Sequence, residues 1–159
     1  MRCAAFRNHS TYEKYASRLQ NLHALNLNFE FIKIQLKKFL FYWFPIIIYC
    51  LIIFIQSSYP SIKTTPELPH IDKMLHFVAY ALLGTLFLRA FKTSRIKNNV
   101  KLMLILSVLC SSLYGISDEI HQYFVPYRSA DLMDILADIL GSIMGVYIYQ
   151  AIAGKISAG

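Results

Sequence analysis

The chain has 159 residues, of which 56% are hydrophobic, and it carries a formal net charge of +7. This length predicts one small structural unit, and the hydrophobic fraction exceeds the roughly 45–50% usual in soluble domains. A basic chain can bind nucleic acid, but here the basic residues flank apolar runs, so we expect no nucleic-acid partner. The sequence has neither a glycine-rich phosphate loop nor a Cys-x-x-Cys-His haem motif, so we expect no cofactor of these kinds.

The first 38 residues are basic and mixed in composition. They carry seven Lys and Arg residues: Arg2, Arg7, Lys14, Arg18, Lys33, Lys37 and Lys38. No small-residue cleavage motif follows the first apolar run, so a signal peptide is not predicted. We predict a basic cytoplasmic leader over residues 1–38 that is disordered or lies on an anionic membrane surface.

Four apolar segments follow the leader, and each approaches the ~20 residues needed to cross a bilayer. They span about 39–56, 72–91, 102–120 and 131–153. The alternative, a soluble helical bundle, would not need runs of this length. We therefore predict an all-α polytopic membrane protein, a bundle of four transmembrane helices in a domain over residues 39–154.

The distribution of Lys and Arg predicts the orientation of the bundle. Five basic residues lie around the second connection: Arg89, Lys92, Arg95, Lys97 and Lys101. By contrast, the connections 57–71 and 121–130 contain only Lys63 and Arg128. Because basic loops stay in the cytoplasm, both termini are predicted to be cytoplasmic and the other two connections to face outward.

Acidic residues are concentrated near the outward ends of the last two spans. Five of the nine lie within twenty-one positions: Asp118, Glu119, Asp131, Asp134 and Asp138. The last three share one helical face with Gly141 and Gly145, within about 80° of one another. Each ionised carboxylate in hydrocarbon costs roughly 2.5–3.5 kcal/mol. Such a stripe therefore predicts either partner charges or a functional site.

The second and third spans supply matching polar faces. Lys73, His76 and Tyr80 share a face of span two, with Asp72 beside them. Span three places on one face Ser111, Gly115, Glu119 and Gln122. We expect these faces to pack against the acidic stripe, with Lys73 and Arg128 as counter-charges. Glycines at positions 115, 141 and 145 predict close helix packing, and Gly141 with Gly145 would also suit a homo-oligomer.

Two motifs resemble signatures of the VanZ-like family of membrane proteins. The first is Asp72-Lys73-x-x-His76-Phe77-x-x-Tyr80. The second is Gly115-x-x-x-Glu119-x-x-Gln122-x-Phe124-x-Pro126-x-Arg128, followed by Asp134-x-x-x-Asp138-x-x-Gly141-x-x-x-Gly145. The resemblance covers roughly residues 39–150. Asp138 departs from the family pattern, which usually has Asn there.

The resemblance implies a small multi-pass protein of the bacterial cytoplasmic membrane. The family's namesake is associated with resistance to the glycopeptide antibiotic teicoplanin, but the resemblance carries no reaction with it. Beyond the fold predicted from the residues, the resemblance therefore implies only a location, the cytoplasmic membrane, and a connection with the cell envelope.

The main functional hypothesis is an outward-facing polar pocket that binds or modifies an anionic envelope lipid or lipid-linked cell-wall precursor. Lys73 and Arg128 would hold phosphate or carboxylate, and Tyr80, Tyr123 and Phe124 would contact sugar or lipid. The predicted binding residues are Asp72, Lys73, His76, Tyr80, Glu119, Gln122, Arg128, Asp134 and Asp138.

Three alternatives remain open from the sequence. A membrane-embedded hydrolase or transferase would bind a divalent metal through Glu119, Asp134 and Asp138. Its catalytic candidates are His76, Glu119 and Asp134, with His76 as general acid or base. A transporter would need the polar stripe to continue past Gly145, where the sequence turns apolar. Lastly, the polar residues would form only a structural network that holds the helices in register.

Overall fold

A computed structural model describes residues 3–59, 71–126 and 128–158. It contains four helices: α1 (Cys3–Ser58), α2 (Ile71–Phe91), α3 (Val100–Tyr123) and α4 (Leu132–Ala158). The described residues form no strand, and each helix has a stretch long and apolar enough to cross a membrane. The chain is therefore an all-α, multi-pass membrane protein, and α2 to α4 match the predicted spans to within a few residues. Most of the connection predicted over 57–71 lies outside the described residues.

Local side-chain chemistry fixes where the last two helices begin. The Asn99 side chain caps α3 by accepting a hydrogen bond from the Leu102 N–H, at 3.0 Å. Asp131 precedes α4 and accepts a hydrogen bond from the Met133 N–H, at 2.9 Å. Each cap satisfies an N–H that the first turn of a helix leaves without a partner.

Helix α1 is longer than the predicted first span. It begins at Cys3, so the described part of the leader is helical. The chain divides into two compact units, Met1–Phe39 and Leu40–Gly159. In the first unit all side chains from Tyr12 to Phe39 are exposed. Its cytoplasmic location stays a prediction.

The backbones of α2 and α4 meet along a seam of glycines. A Cβ atom on Gly141 would collide with the Phe77 carbonyl, and one on Gly145 with the Ala81 carbonyl. On the α2 side, a Cβ on Gly84 would lie 2.9 Å from the Ser142 carbonyl oxygen. This close approach is typical of membrane helices packed through small residues. The homo-oligomer predicted through Gly141 and Gly145 would need the face that α2 already covers within the chain.

The interior is polar and the surface apolar, the reverse of a soluble protein. Among the described residues, eight hydrophobic side chains are buried, compared with eleven polar or charged ones. Leu88, Met103 and Val146 form an apolar cluster toward the C-terminal end of α2. The buried acids lie nearer the opposite end of the same helices, so the two ends of the bundle have different chemistry.

The part of α1 within the second unit is held by tyrosine hydroxyl groups. Tyr114 of α3 donates a hydrogen bond to the Cys50 carbonyl at 2.6 Å. Tyr49 donates one to the Ala79 carbonyl of α2 at 3.2 Å. Further along, the Trp43 ring packs edge-on against Phe91, with centroids 5.4 Å apart. These contacts position the C-terminal half of α1 beside α2 and α3.

Candidate functional site

The polar groups converge at the end of the bundle where α1 and α3 finish and where α2 and α4 begin. One contact that marks this end joins Ser58 Oγ to His121 Nε2, at 3.0 Å. The His121 ring also packs on Phe54, with centroids 4.5 Å apart. His121 therefore links α3 to α1, although the sequence places it at the start of a connection.

Lys73 is paired with two carboxylates at this end. Its Nζ lies 2.6 Å from Asp131 Oδ2 and 3.2 Å from Asp134 Oδ1. The bond to Lys73 lowers the pKa of the Asp131 carboxyl group, which precedes α4, below its ordinary value. Asp134 is buried, whereas Lys73 and Asp131 are partly exposed. Lys73 is thus an internal counter-charge that joins α2 to the start of α4.

Below this pair lies the His76 cluster, which consists of His76, Glu119 and Asp138. The His76 Nδ1 atom is 3.0 Å from Asp138 Oδ1 and 3.8 Å from Glu119 Oε1. All three residues are buried, with 8%, 1% and 0% of their surface exposed. Glu119 Oε1 and Asp138 Oδ2 have no hydrogen-bond partner within the described residues. The cluster therefore brings two carboxylates and one imidazole together, one from each of α2, α3 and α4.

Glu119 also connects α3 to the loop that leads into α4. Its second oxygen, Oε2, accepts a hydrogen bond from the Asp131 N–H at 3.0 Å. Asp131 in turn bonds Lys73 through its side chain. The backbone of the loop and both acidic pairs are therefore parts of one network.

Arg128 does not act as the counter-charge that we expected from the sequence. Its Nε and one terminal nitrogen donate to the carbonyls of Tyr59 and Gln56, at 3.1 and 3.3 Å. The other terminal nitrogen donates to Gln122 Oε1 at 3.2 Å. Gln122 then donates to Asp118 Oδ2 at 3.1 Å. Among the described contacts Arg128 reaches only neutral oxygens, and the nearest acid in its network is one side chain away.

A cavity of about 320 Å³ opens beside these groups, between α1, α2 and α3. Its lining includes His76, Tyr80, Asp118, Gln122 and Arg128 on the polar side. The remaining lining residues are Tyr49, Ile52, Ile53, Gln56, Ser57, Asp72, Leu75 and Ala79. Those from α1 were not predicted from the sequence, because the first span carries no Asp, Glu, Lys or Arg to mark its inner face.

The other predicted residues fall into two groups. Tyr80 is buried and stacks on His76, with centroids 6.3 Å apart, and Gly115 lies against the Asp138 side chain. In contrast, Tyr123 and Phe124 are 71% and 75% exposed and do not line the cavity. Their predicted contact with a bound sugar or lipid would have to occur outside it.

The predicted metal ligands need one correction. Glu119, Asp134 and Asp138 were expected to act together, but Asp134 bonds Lys73. The described acids and histidines instead form two groups whose ligand atoms lie within 4.8 Å of one another. One is the His76 cluster, and the other is Asp72, His76 and Asp134. The predicted set differs from the observed groups because the Asp134 side chain points toward Lys73. Helical periodicity does not determine that direction.

Comparison with known proteins agrees with the fold and with the motifs. The profile of the VanZ/LLP1 family matches residues 1–153, so the match extends through the leader, beyond the 39–150 expected from the motifs. A protein of Schizosaccharomyces pombe, described only as uncharacterized, is 32% identical over 91 residues, which are 57% of this chain and 54% of that protein. The chain thus spans about half the length of that relative. No solved structure matches. Given the extent of the family match, the chain belongs to the VanZ/LLP1 family.

Proposed function

We propose that the protein binds an amphiphile with an anionic phosphate or carboxylate head group in the cavity between α1, α2 and α3. The observation that carries this proposal is the position of Arg128 on the polar side of the cavity, where it donates only to neutral oxygens. A guanidinium group can bind phosphate or carboxylate through two parallel hydrogen bonds. An incoming anion would replace the carbonyl and amide acceptors and supply the missing negative charge.

The rest of the lining supports an amphiphile over a small polar solute. Ile52, Ile53 and Leu75 provide apolar wall next to the polar side chains, and Ala79 adds to it. A ligand site of this kind is usually mostly apolar, with a few polar groups that fix the orientation. Part of a lipid chain or an isoprenoid would occupy the apolar side, while the head group met Arg128 and Gln122.

Of the two roles expected for Lys73 from the sequence, counter-charge and head-group ligand, the first accounts for its contacts. Its two ion pairs leave it as a support for α4, and it does not line the cavity. Arg128 would therefore bind the head group, while Lys73, Asp131 and Asp134 would hold the adjacent loop in place.

The envelope setting comes from the pattern of charges and from the family resemblance. Positive-inside counting supports a cavity at the outer face of a cytoplasmic membrane. A lipid-linked cell-wall precursor or an anionic phospholipid has the required chemistry. Binding such a precursor would connect this chain to the glycopeptide tolerance associated with the family's namesake.

Native mass spectrometry of protein purified with its lipids tests the proposal directly. The wild type should retain an anionic lipid or precursor, Arg128→Lys should retain less, and Arg128→Ala should retain almost none. Arg95→Ala removes an exposed arginine and serves as the matched control. Equal retention by the wild type and by Arg128→Ala would remove the basis for the proposal.

Orientation needs a separate experiment. Ser129 is exposed in the loop before α4, so a cysteine there should react with an impermeant thiol reagent on intact cells. The labelling uses a background in which the three native cysteines, Cys3, Cys50 and Cys110, are replaced by serine, so that only the introduced cysteine can react. Reaction only after the membrane is opened would put the cavity at the cytoplasmic face.

The phenotype gives a functional readout for the same residues. If the chain confers glycopeptide tolerance in a bacterial host, Arg128→Ala and Glu119→Gln should abolish it while both variants still insert into the membrane. Full tolerance in both inserted variants would separate that phenotype from the cavity.

A metal-dependent hydrolase or transferase is the second candidate. The observation that favours it is the His76 cluster, since a buried imidazole beside two carboxylates suits both metal binding and proton transfer. His76 also lines the cavity, so a reaction at the head group of a bound amphiphile would take place next to this imidazole.

A further inference from the structure

We propose that the His76 cluster binds one divalent transition-metal ion, of the Zn²⁺ or Mn²⁺ type. The ligand atoms would be His76 Nδ1, Glu119 Oε1 and one oxygen of Asp138. These residues come from three helices and offer atoms that lie within 4.8 Å of one another. The site uses one residue, His76, in place of Asp134 in the set predicted from the sequence.

The separations between these atoms are close to those around a metal ion. A tetrahedral ion with ligands at about 2.1 Å holds them roughly 3.4 Å apart. The observed separations from Nδ1, 3.0 Å to Asp138 Oδ1 and 3.8 Å to Glu119 Oε1, lie on either side of this value. The third separation, between the Glu119 and Asp138 oxygens, is no more than 4.8 Å, so rotation of the side chains would bring all three atoms onto one ion.

Two buried oxygens provide an independent sign of a bound group. Glu119 Oε1 and Asp138 Oδ2 have no hydrogen-bond partner among the described residues, although Glu119 and Asp138 are 1% and 0% exposed. Buried carboxylates ordinarily have their oxygens paired, because leaving one unpaired costs free energy. Of the two, Glu119 Oε1 lies on the His76 side, within the proposed site, and is the one that supports a bound ion; Asp138 Oδ2 lies against Gly115.

The charge of the cluster also matches a divalent cation. Lys73 lies near these acids but bonds to Asp131 and Asp134. Glu119 and Asp138 are left with His76, which is neutral when it ligates a metal. One ion of charge +2 would neutralise the two carboxylates, and burying two like charges without compensation is strongly unfavourable.

The ligand chemistry selects the class of metal. An imidazole with two carboxylates suits zinc, manganese or iron better than calcium or magnesium, which prefer oxygen ligands alone. The surrounding groups hold the ligands in place, as is usual at metal sites. Glu119 Oε2 accepts the Asp131 N–H, and the His76 ring stacks on Tyr80.

The metal site does not depend on the proposed binding of an amphiphile. The amphiphile would bind through Arg128, which is not a ligand of the ion. Because His76 belongs both to the cluster and to the lining of the cavity, an ion held there would border the cavity. Each proposal can therefore be tested with a variant that leaves the other site intact.

The test is metal content measured on the full chain in detergent, purified through a tag without histidine. After equilibrium dialysis against Zn²⁺ alone, or Mn²⁺ alone, the wild type should hold one ion per chain. Asp138→Asn, which preserves size, should bind about tenfold more weakly or worse. Glu30→Gln, which changes an exposed acid outside this network, is the control and should keep the ion, as should Arg128→Ala.

A second readout guards against a variant that does not fold. Dialysis against Co²⁺ should give the visible absorption of cobalt with nitrogen and oxygen ligands, and His76→Gln should change that spectrum while eluting as the wild type does. Wild type that binds neither Zn²⁺ nor Mn²⁺ would overturn the proposal and leave the cluster as a hydrogen-bonded network. Equal metal content in the wild type, Asp138→Asn and His76→Gln would overturn it by placing the ion elsewhere.

Discussion

The two ends of the second unit, Leu40–Gly159, are built from the same helices but are stabilised differently. Toward the C-terminal end of α2, Leu88, Met103 and Val146 pack as an apolar cluster. Toward the N-terminal end, α2 and α4 are joined by ion pairs from Lys73 and by the His76–Asp138 contact. The first end is explained by side-chain packing alone, whereas the second contains buried charge that packing does not require.

This difference favours a pocket over a channel. Buried serines lie between the two ends, but Ser107 donates to a carbonyl of its own helix, and Ser142 bonds to Ser111 and to the Asp138 carbonyl. Beyond them the fully buried residues are apolar, as at Val146, and the one buried side-chain oxygen without a hydrogen-bond partner is the uncharged amide oxygen of Gln150, within the described residues. A transporter would need polar groups along the whole bundle. The buried charge instead stops partway, as a ligand site at one end requires.

The largest loss of stability is expected from a substitution in the glycine seam between α2 and α4, which runs between both ends. Gly141→Leu should prevent α2 and α4 from packing, because even a Cβ there meets the Phe77 backbone. We expect a loss greater than the roughly 1–3 kcal/mol typical of overpacked cores. Unfolding of purified protein by a denaturing detergent measures it. Gly154→Leu is the control, since nothing lies within 4 Å of a Cβ at Gly154. Equal stability of the two variants would show that the seam does not hold the bundle together.

An intermediate effect is expected at the polar end. Glu119→Ala removes the acceptor of the Asp131 N–H and a member of the His76 cluster. Leaving a fully buried donor without a partner costs roughly 1–3 kcal/mol, and the partly buried Asp131 N–H should lie at the low end of this range. Glu30→Ala, which removes an exposed glutamate paired with Lys33, should change stability much less, because solvent screens an exposed ion pair. The same unfolding measurement compares them. A Glu119→Ala protein as stable as Glu30→Ala would mean that the polar end contributes little to folding.

The smallest effect concerns the pair between Lys73 and Asp131. Lys73 lowers the pKa of Asp131 below its ordinary 3.8, so the folded state favours the ionised carboxylate. The pair therefore contributes fully above the ordinary pKa and is lost as pH falls through the lower, folded value. Asp131→Asn should be slightly less stable than the wild type near pH 6, and the gap should narrow as the pH falls below 3.8. A gap that widens on acidification would have the wrong sign for this pair.

The secondary structure and the polar faces could be predicted from the sequence because both depend on periodicity. Asp134, Asp138, Gly141 and Gly145 recur at helical spacing, and the structure buries all four on one side of α4. Basic loops and apolar length predicted four spans. The helical state of the leader was not predicted, because its mixed composition has no apolar face to mark a helix.

The pairing of charges could not be predicted from spacing. From its position on α2, Lys73 could pair with any of several carboxylates on the neighbouring helices. Only the packed structure shows that it bonds to Asp131 and Asp134. That choice leaves His76 with Asp138 and Glu119. Arg128 illustrates the same limit, because its partners are backbone carbonyls of Gln56 and Tyr59, which have no signature in sequence.

The glycine seam also determines which wall of the cavity can move. The backbones of α2 and α4 touch at Gly141 and Gly145, so those helices cannot slide or separate without losing the whole interface. Helix α1 approaches the other wall mainly through side chains, with tyrosine hydroxyl groups bonded to Cys50 and Ala79. The chain at the C-terminal end of α1 also bonds His121 and Arg128, and Ile46 packs in the core, but each of these contacts is local, whereas the seam joins two backbones along its length. We therefore expect the α1 wall of the cavity to be the more mobile of the two, so that an amphiphile of the kind proposed would enter sideways from the bilayer, past α1.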